Sequence, residues 1–179
     1  LATACHAAPP PADTTAAESP APAIETLIEE RLAALAGDKA PALRGEPLAE
    51  AATLRAFYTR RAFAPAWSDP RSIDALERAI RASEVEGLNP RDYHLDALLA
   101  LKPELAARRV SAWTRAEADL LFSDALARLA GHYAFGKVDP ATHEPTWNIR
   151  APDADRDAAD VLARLAGPSV DTAVLGELP

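Results

Sequence analysis

The stretch "WTRAEADLLFSDALARLAGHYAFG", residues 113–136, decides the fold class. Thr114 and Glu117 stand three apart, the spacing of a capping box, in which two side chains satisfy free backbone N–H groups at a helix start. Leu121, Ala125, Leu126, Leu129 and Tyr133 then recur at helical intervals and give one apolar face for several turns. Gly136 supplies an end signal. A helix this long and this apolar must be covered, so its place is central, with the other elements packed around it.

Working upstream, "RSIDALERAIRASEVEGLNPRDYHLDALLAL" sets Ile73, Leu76 and Ile80 on a core face. Gly87 follows, the residue best able to take a left-handed conformation beyond a helix end. Asn89 can accept from a free N–H of the next helix, and Pro90 presets φ where no donor is missed. The motif reads as a helix-helix corner with Tyr93 and His94 in the first turn of the new helix. Adjacent helical residues point about 100° apart, so this pair reads as structural, a ring stapling the corner and an imidazole meeting polar neighbours, rather than as an acid/base pair.

Further upstream, "EPLAEAATLRAFYTRRAF" predicts a helix from Pro47 that buries Leu54, Phe57 and Tyr58 and points Arg55, Arg60 and Arg61 toward water, stopping near "FAPAWSDP". "IETLIEERLAALAG" places Ile24, Leu27, Ile28, Leu32 and Leu35 on one stripe, ended by Gly37. Downstream, "KVDPATHEPTWNI" holds Pro140 and Pro145 too close for a regular element and is expected to lie extended over the bundle. "DADRDAADVLARLAG" offers early aspartates that suit a helix N-terminus, an apolar face of Val161, Leu162 and Leu165, and a Gly167-Pro168 stop. No strand-length alternation and no solenoid-period repeat recurs. The expected fold is all-α, an irregular bundle of about five to seven helices behind a disordered Pro/Ala-rich N-terminal tail.

Composition sets the partners. The 179 residues carry 19 basic and 27 acidic side chains, a formal charge of −8, which repels phosphate backbones and anionic lipid; no nucleic-acid partner is expected. No apolar run approaches the roughly 20 residues of a membrane-spanning helix. There is no methionine, so a processed product or a fragment of a longer reading frame is expected. "LATACHAAPPPADTTAAESPAPA" reads as the end of an export signal, cleaved near Ala2 and Ala4, running into a linker; a lipid anchor on Cys5 is the alternative. A lone cysteine forms no internal disulfide, and on a tail it has no fixed base or oxyanion donor.

Chemistry is sparse. The histidines at 6, 94, 132 and 143 form no spaced metal cluster, and only an assembly of His94, His132 and His143 across the fold would make one. Acidic pairs such as Glu84 with Glu86 and Asp153 with Asp155 fall at helix ends, where carboxylates favour the dipole or stay solvated. Phosphate loops and a Gly-x-Ser-x-Gly elbow are missing. No catalytic, cofactor-binding or metal residue is assigned, and nearly all recognisable residues are expected in buried faces, with none poised to react.

Three stretches, "LRAFYTRRAFAPAWSD", "ALERAIRASEVEGLNPRDYHL" and "ADLLFSDALARLAGHYAFGKVDP" followed by "TWNI", resemble in order and spacing the N-terminal scaffold domain of the large periplasmic L,D-transpeptidases of the YcbB type. The resemblance runs from Leu43 to about Ala166. It implies an exported parent enzyme that cross-links peptidoglycan stem peptides through a cysteine thioester, splitting one hard amide exchange into two easier steps. That cysteine belongs to a Ser-His-Gly-Cys motif in a separate C-terminal domain; this sequence has no such motif, and Cys5 does not take its role.

The implied division is a signal remnant and linker over 1–23, an amphipathic helix and connection over 24–42, the scaffold over 43–166, and a tail over 167–179 leading to catalytic and peptidoglycan-binding domains as partners. Phe57, Tyr58, Phe63, Trp67, Tyr93, Phe122, Tyr133 and Trp147 fall in the matching stretches and are core candidates, with a sugar-stacking platform the sharper reading of Trp67 or Trp147. The rival to an enzyme's scaffold is a free-standing periplasmic adaptor or peptidoglycan-associated module without activity.

Overall fold

The computed structural model describes residues 22–37, 40–137 and 162, and these fold as an all-α domain with one small hairpin. In chain order the elements are α1 (Ile24–Leu35), β1 (Ala42–Leu43), β2 (Glu46–Pro47), α2 (Ala51–Arg60), α3 (Pro70–Ala82), α4 (Leu95–Ala106) and α5 (Ala112–Phe135). Two short 3-10 turns, Ser83–Glu86 and Pro90–Tyr93, lie between α3 and α4.

Helix α5 takes the central place its sequence demands. It touches α1, α2, α3, α4 and the Pro90–Tyr93 turn, and it is buried on nearly every side from Ala116 to Ala130. Its start differs from the expected capping box. Ser111, in an extended conformation, accepts from the Thr114 N–H at 3.0 Å, so the cap lies one turn earlier than Thr114. Glu117 is thereby released to bridge Arg31 of α1 and Arg44 of the hairpin.

The remaining helices present the faces their periodicity implies. Leu27, Ile28, Leu32 and Leu35 are buried from α1, Leu54, Phe57 and Tyr58 from α2, and Ile73, Leu76 and Ile80 from α3. Each such side chain removed from water contributes roughly 1.5–3 kcal/mol. Asp69 caps α3 by accepting from the Arg71 N–H, with Pro70 at the first position, where its missing donor costs nothing.

Three expectations are corrected. Helix α2 begins at Ala51, because Pro47 pairs with Ala42 in an antiparallel hairpin. Arg44 and Gly45 at its tip both have positive φ, as a two-residue primed turn requires, and Leu43 is fully buried beneath it. Of the three arginines expected to face water, Arg55 and Arg60 are exposed, Arg55 while also donating to the Leu32 carbonyl at 2.6 Å, but Arg61 is half-buried, donates to the Ala64 carbonyl and lies over the Phe57 ring. The helix-helix corner is present, with Gly87 left-handed and Asn89 accepting from Arg91, but Tyr93 closes a separate 3-10 turn and His94 breaks it from α4.

The Pro/Ala-rich tail with Cys5, the stretch 138–150 with His143 and Trp147, and the helix expected over 153–167 lie outside the described residues, apart from Leu162, which is helical and buried in the core. Among the described residues no helix is long and apolar enough to cross a membrane.

Candidate functional site

Two aspartates lie inside the apolar run of α5, and a buried carboxylate must find donors or remain very costly. Asp119 finds three. Its Oδ1 accepts from the Ala66 N–H at 2.8 Å and the Tyr58 hydroxyl at 2.6 Å, and its Oδ2 accepts from the Trp67 N–H at 3.0 Å. Ser123, one turn on, bonds the Tyr58 hydroxyl at 2.8 Å and accepts from the Trp67 indole N–H at 3.0 Å. Burial pushes the Asp119 carboxyl up, against the opposing pull of these donors. Burial, then the Asp119 charge, pushes the Tyr58 phenol well above its ordinary range, which keeps it a donor.

Asp124 is the second. Its Oδ1 accepts from the Glu50 N–H at 2.9 Å, and its Oδ2 lies 2.8 Å from Nε2 of His94. The other ring nitrogen of His94 lies 3.0 Å from Oε2 of Glu46 in the hairpin. Both ring nitrogens thus face carboxylates. His94 is 2% exposed and sits at φ 56°, ψ 29°, a left-handed conformation uncommon outside glycine. One imidazole joins the hairpin, the entry to α4 and the middle of α5.

Beside this joint opens a polar cleft of about 570 Å³, lined in part by Glu46, Glu50, Asp92, His94, Arg128 and His132. Two imidazoles, the buried His94 and the half-buried His132, thus line an open polar cleft, although nearly all recognisable residues are expected in buried faces. Their partners decide what they can do. The Tyr93 hydroxyl lies 2.8 Å from Nδ1 of His132, and the rings meet edge to face. Burial, chiefly, pushes the Tyr93 phenol up to about 12. Burial and the charges of Lys137 and Arg128 hold the His132 imidazole below its usual range. Both groups therefore stay neutral, and one hydrogen bond joins the phenol oxygen to Nδ1.

The other charged groups of the cleft are also committed. Arg128 donates to the Asp92 carbonyl, Lys137 pairs with the Asp92 carboxylate, Glu50 accepts from Thr53, and Arg91 stands 3.4 Å from Asp96. Among the described residues no group of histidines, cysteines and carboxylates could hold a metal ion. Tyr93 and His94 do not pair with each other, and each takes a partner from α5 or the hairpin. Glu84 and Glu86 are exposed on the first 3-10 turn. The cleft holds a fixed set of internal pairs, suited to locking elements together.

A second, more apolar depression of about 310 Å³ lies across the molecule's Trp67 region, between the start of α1, the connection from α2 to α3, and the Arg115, Ala118 and Phe122 face of α5. Trp67 is 7% exposed, packs edge-on against Phe122 and spends its indole N–H on Ser123, so it is a core residue rather than an open stacking platform.

Sequence reasoning missed Asp119 and Asp124, although a signal was present. In "ADLLFSDALA" two aspartates interrupt the most apolar helix of the chain, and acids at buried positions demand partners from elsewhere in the fold. The partners are the Glu50 N–H before α2, the Ala66 and Trp67 N–H groups in the connection from α2 to α3, and the side chains of Tyr58 and His94, which only the fold brings to α5.

A family model described as a scaffold domain matches residues 52–178. Neither a curated protein nor a solved structure matches the chain.

Proposed function

Because the chain belongs to the scaffold-domain family, we propose that it is the scaffold portion of an exported, periplasmic L,D-transpeptidase that cross-links peptidoglycan stem peptides. The observation that carries this reading is the ordered set of three stretches resembling that enzyme's scaffold, all of which fall inside the matched residues 52–178. The internal commitment of the ionisable groups in the polar cleft supports a supporting role, since a general base or nucleophile needs a free lone pair directed at substrate.

In this reading the cysteine that attacks the tetrapeptide donor, and then passes the acyl group to a neighbouring amine, belongs to a Ser-His-Gly-Cys motif in a catalytic domain outside these residues. The helices hold that domain and shape its access to the glycan strand. The test is to read the gene beyond Pro179. A Ser-His-Gly-Cys domain and a peptidoglycan-binding module in frame are expected; a stop codon directly after Pro179 would overturn the reading and leave a free-standing adaptor.

A further inference from the structure

The connection from α2 to α3, residues 61–69, is built against the preference of its own backbone. Helix α2 closes with two backbone bonds, from the Phe63 N–H to the Tyr58 carbonyl at 2.8 Å and from the Ala62 N–H to the Thr59 carbonyl at 3.2 Å. That pairing is the Schellman ending, whose turning residue is left-handed and is usually glycine. Here the turning residue is Ala62 at φ 51°, and Phe63 follows at φ 59°. Two consecutive side chains thus occupy a region in which Cβ crowds the following carbonyl oxygen.

Bonds from outside the turn hold it in place. Arg61 donates through Nε to the Ala64 carbonyl at 2.7 Å and through Nη2 to the Pro65 carbonyl at 3.0 Å, and its guanidinium lies 4.9 Å from the Phe57 ring centroid. Beyond Pro65 the anchors belong to α5: Asp119 accepts from the Ala66 and Trp67 N–H groups, and Ser123 accepts from the Trp67 indole. Strain therefore sits at the near end of the connection and restraint at the far end. A segment that carries backbone strain and depends on a few side-chain anchors opens more readily than the helices it joins. Its opening would relax Ala62 and Phe63 and lift Trp67 off the Phe122 edge, widening the 310 Å³ groove that Pro65, Trp67 and Ser68 line.

We propose that residues 61–67 form a strained latch, which α5 holds shut through Asp119 and Ser123 and which opens as one local unit to uncover Trp67. This stands apart from the transpeptidase reading and does not depend on it. The groove in the closed fold is then the shallow form of a larger apolar recess.

The test is native-state hydrogen exchange of the full chain at low urea, read residue by residue by NMR. The Ala66 and Trp67 amides are expected to share one protection factor, below those of Leu121 and Leu126 in α5 and nearly independent of urea, because local opening exposes little surface. Ala62→Gly separates a strained latch from a merely flexible loop. Ala62 is exposed, so little packing is lost, and glycine removes the left-handed cost while adding a smaller entropic one. Protection at Ala66 and Trp67 should therefore rise about twofold to fivefold. Ala64→Gly, in the same connection but at a residue whose φ is not positive, should lower it. Exchange of Ala66 and Trp67 at the protection and urea dependence of α5 would overturn the proposal. So would protection that is unchanged or lower in Ala62→Gly, or raised in Ala64→Gly.

Discussion

Asp119 and Asp124, five residues apart on α5, flank helix α2: Asp124 takes the Glu50 N–H before its first turn, and Asp119 takes the Tyr58 hydroxyl near its end and the Ala66 and Trp67 N–H groups of the connection that follows. A short helix is fixed in position by carboxylates of the central one, each of which is itself made tolerable by the donors it receives. Replacing Asp119 by Ala would leave the Tyr58 hydroxyl and two backbone N–H groups without their acceptor, and is expected to cost about 3–5 kcal/mol. Asp119→Asn keeps one acceptor but turns an NH2 toward groups that are donors, so it should also destabilise, by a smaller amount. Urea denaturation midpoints measure both; an Asp119→Ala protein as stable as the parent would remove the clamp from this account.

His94 provides a separate test, because its backbone and its side chain contribute in opposite senses. His94→Ala is expected to cost about 3–5 kcal/mol by leaving the buried Asp124 carboxylate with one partner fewer. His94→Gly loses the same hydrogen bonds but accepts φ 56° freely, so it should be about 1 kcal/mol less destabilised than His94→Ala. The order of the two unfolding midpoints checks this, and Ala above Gly would mean that the left-handed backbone is not strained.

Gly87 isolates the backbone effect at the corner. It has φ 78°, and a Cβ added there would enter open space, so a steric clash with neighbours plays no part. Gly87→Ala should cost about 1–2 kcal/mol through conformation alone. Thermal unfolding monitored by circular dichroism reads the shift.

The Tyr93–His132 pair gives stability a pH dependence with a definite sign. Folding depresses the pKa of His132 below the ordinary imidazole value of about 6.5, so the neutral ring is favoured by folding. Its contribution is present above about pH 6.5 and is lost as pH falls through the folded value, because the unfolded chain takes up the proton first. Urea midpoints of the parent and of His132→Asn, compared across that range, should diverge above pH 6.5 and converge as pH drops. A difference that grows on acidification would reverse the assignment.

How much of this was legible depends on whether the cause is local. The stripe Leu27, Ile28, Leu32, Leu35 and the face Ile73, Leu76, Ile80 could be read directly, because a helical period is a property of neighbouring residues. Gly87 and Asn89 marked the corner through their own conformational and capping chemistry. The hairpin escaped because each strand has only two residues, too few to show alternation, and Arg44 with Gly45 is a weak turn signature. Thr114 with Glu117 fits the box pattern, whereas in the fold that glutamate is drawn away by Arg31 and Arg44 and Ser111 caps the helix. The joint at His94 combines residues 46, 94 and 124, and no local pattern reports pairs separated by 30 and 48 positions.

The most direct measurement of the central claim compares two proteins, the purified 179-residue chain and the complete product of its gene, each incubated with a tetrapeptide stem donor and a D-amino acid acceptor. The scaffold reading predicts exchange by the complete product and none by the chain. Exchange catalysed by the chain itself would place the nucleophile within these residues, and no exchange by the complete product would separate the fold from transpeptidation; either result would contradict the account.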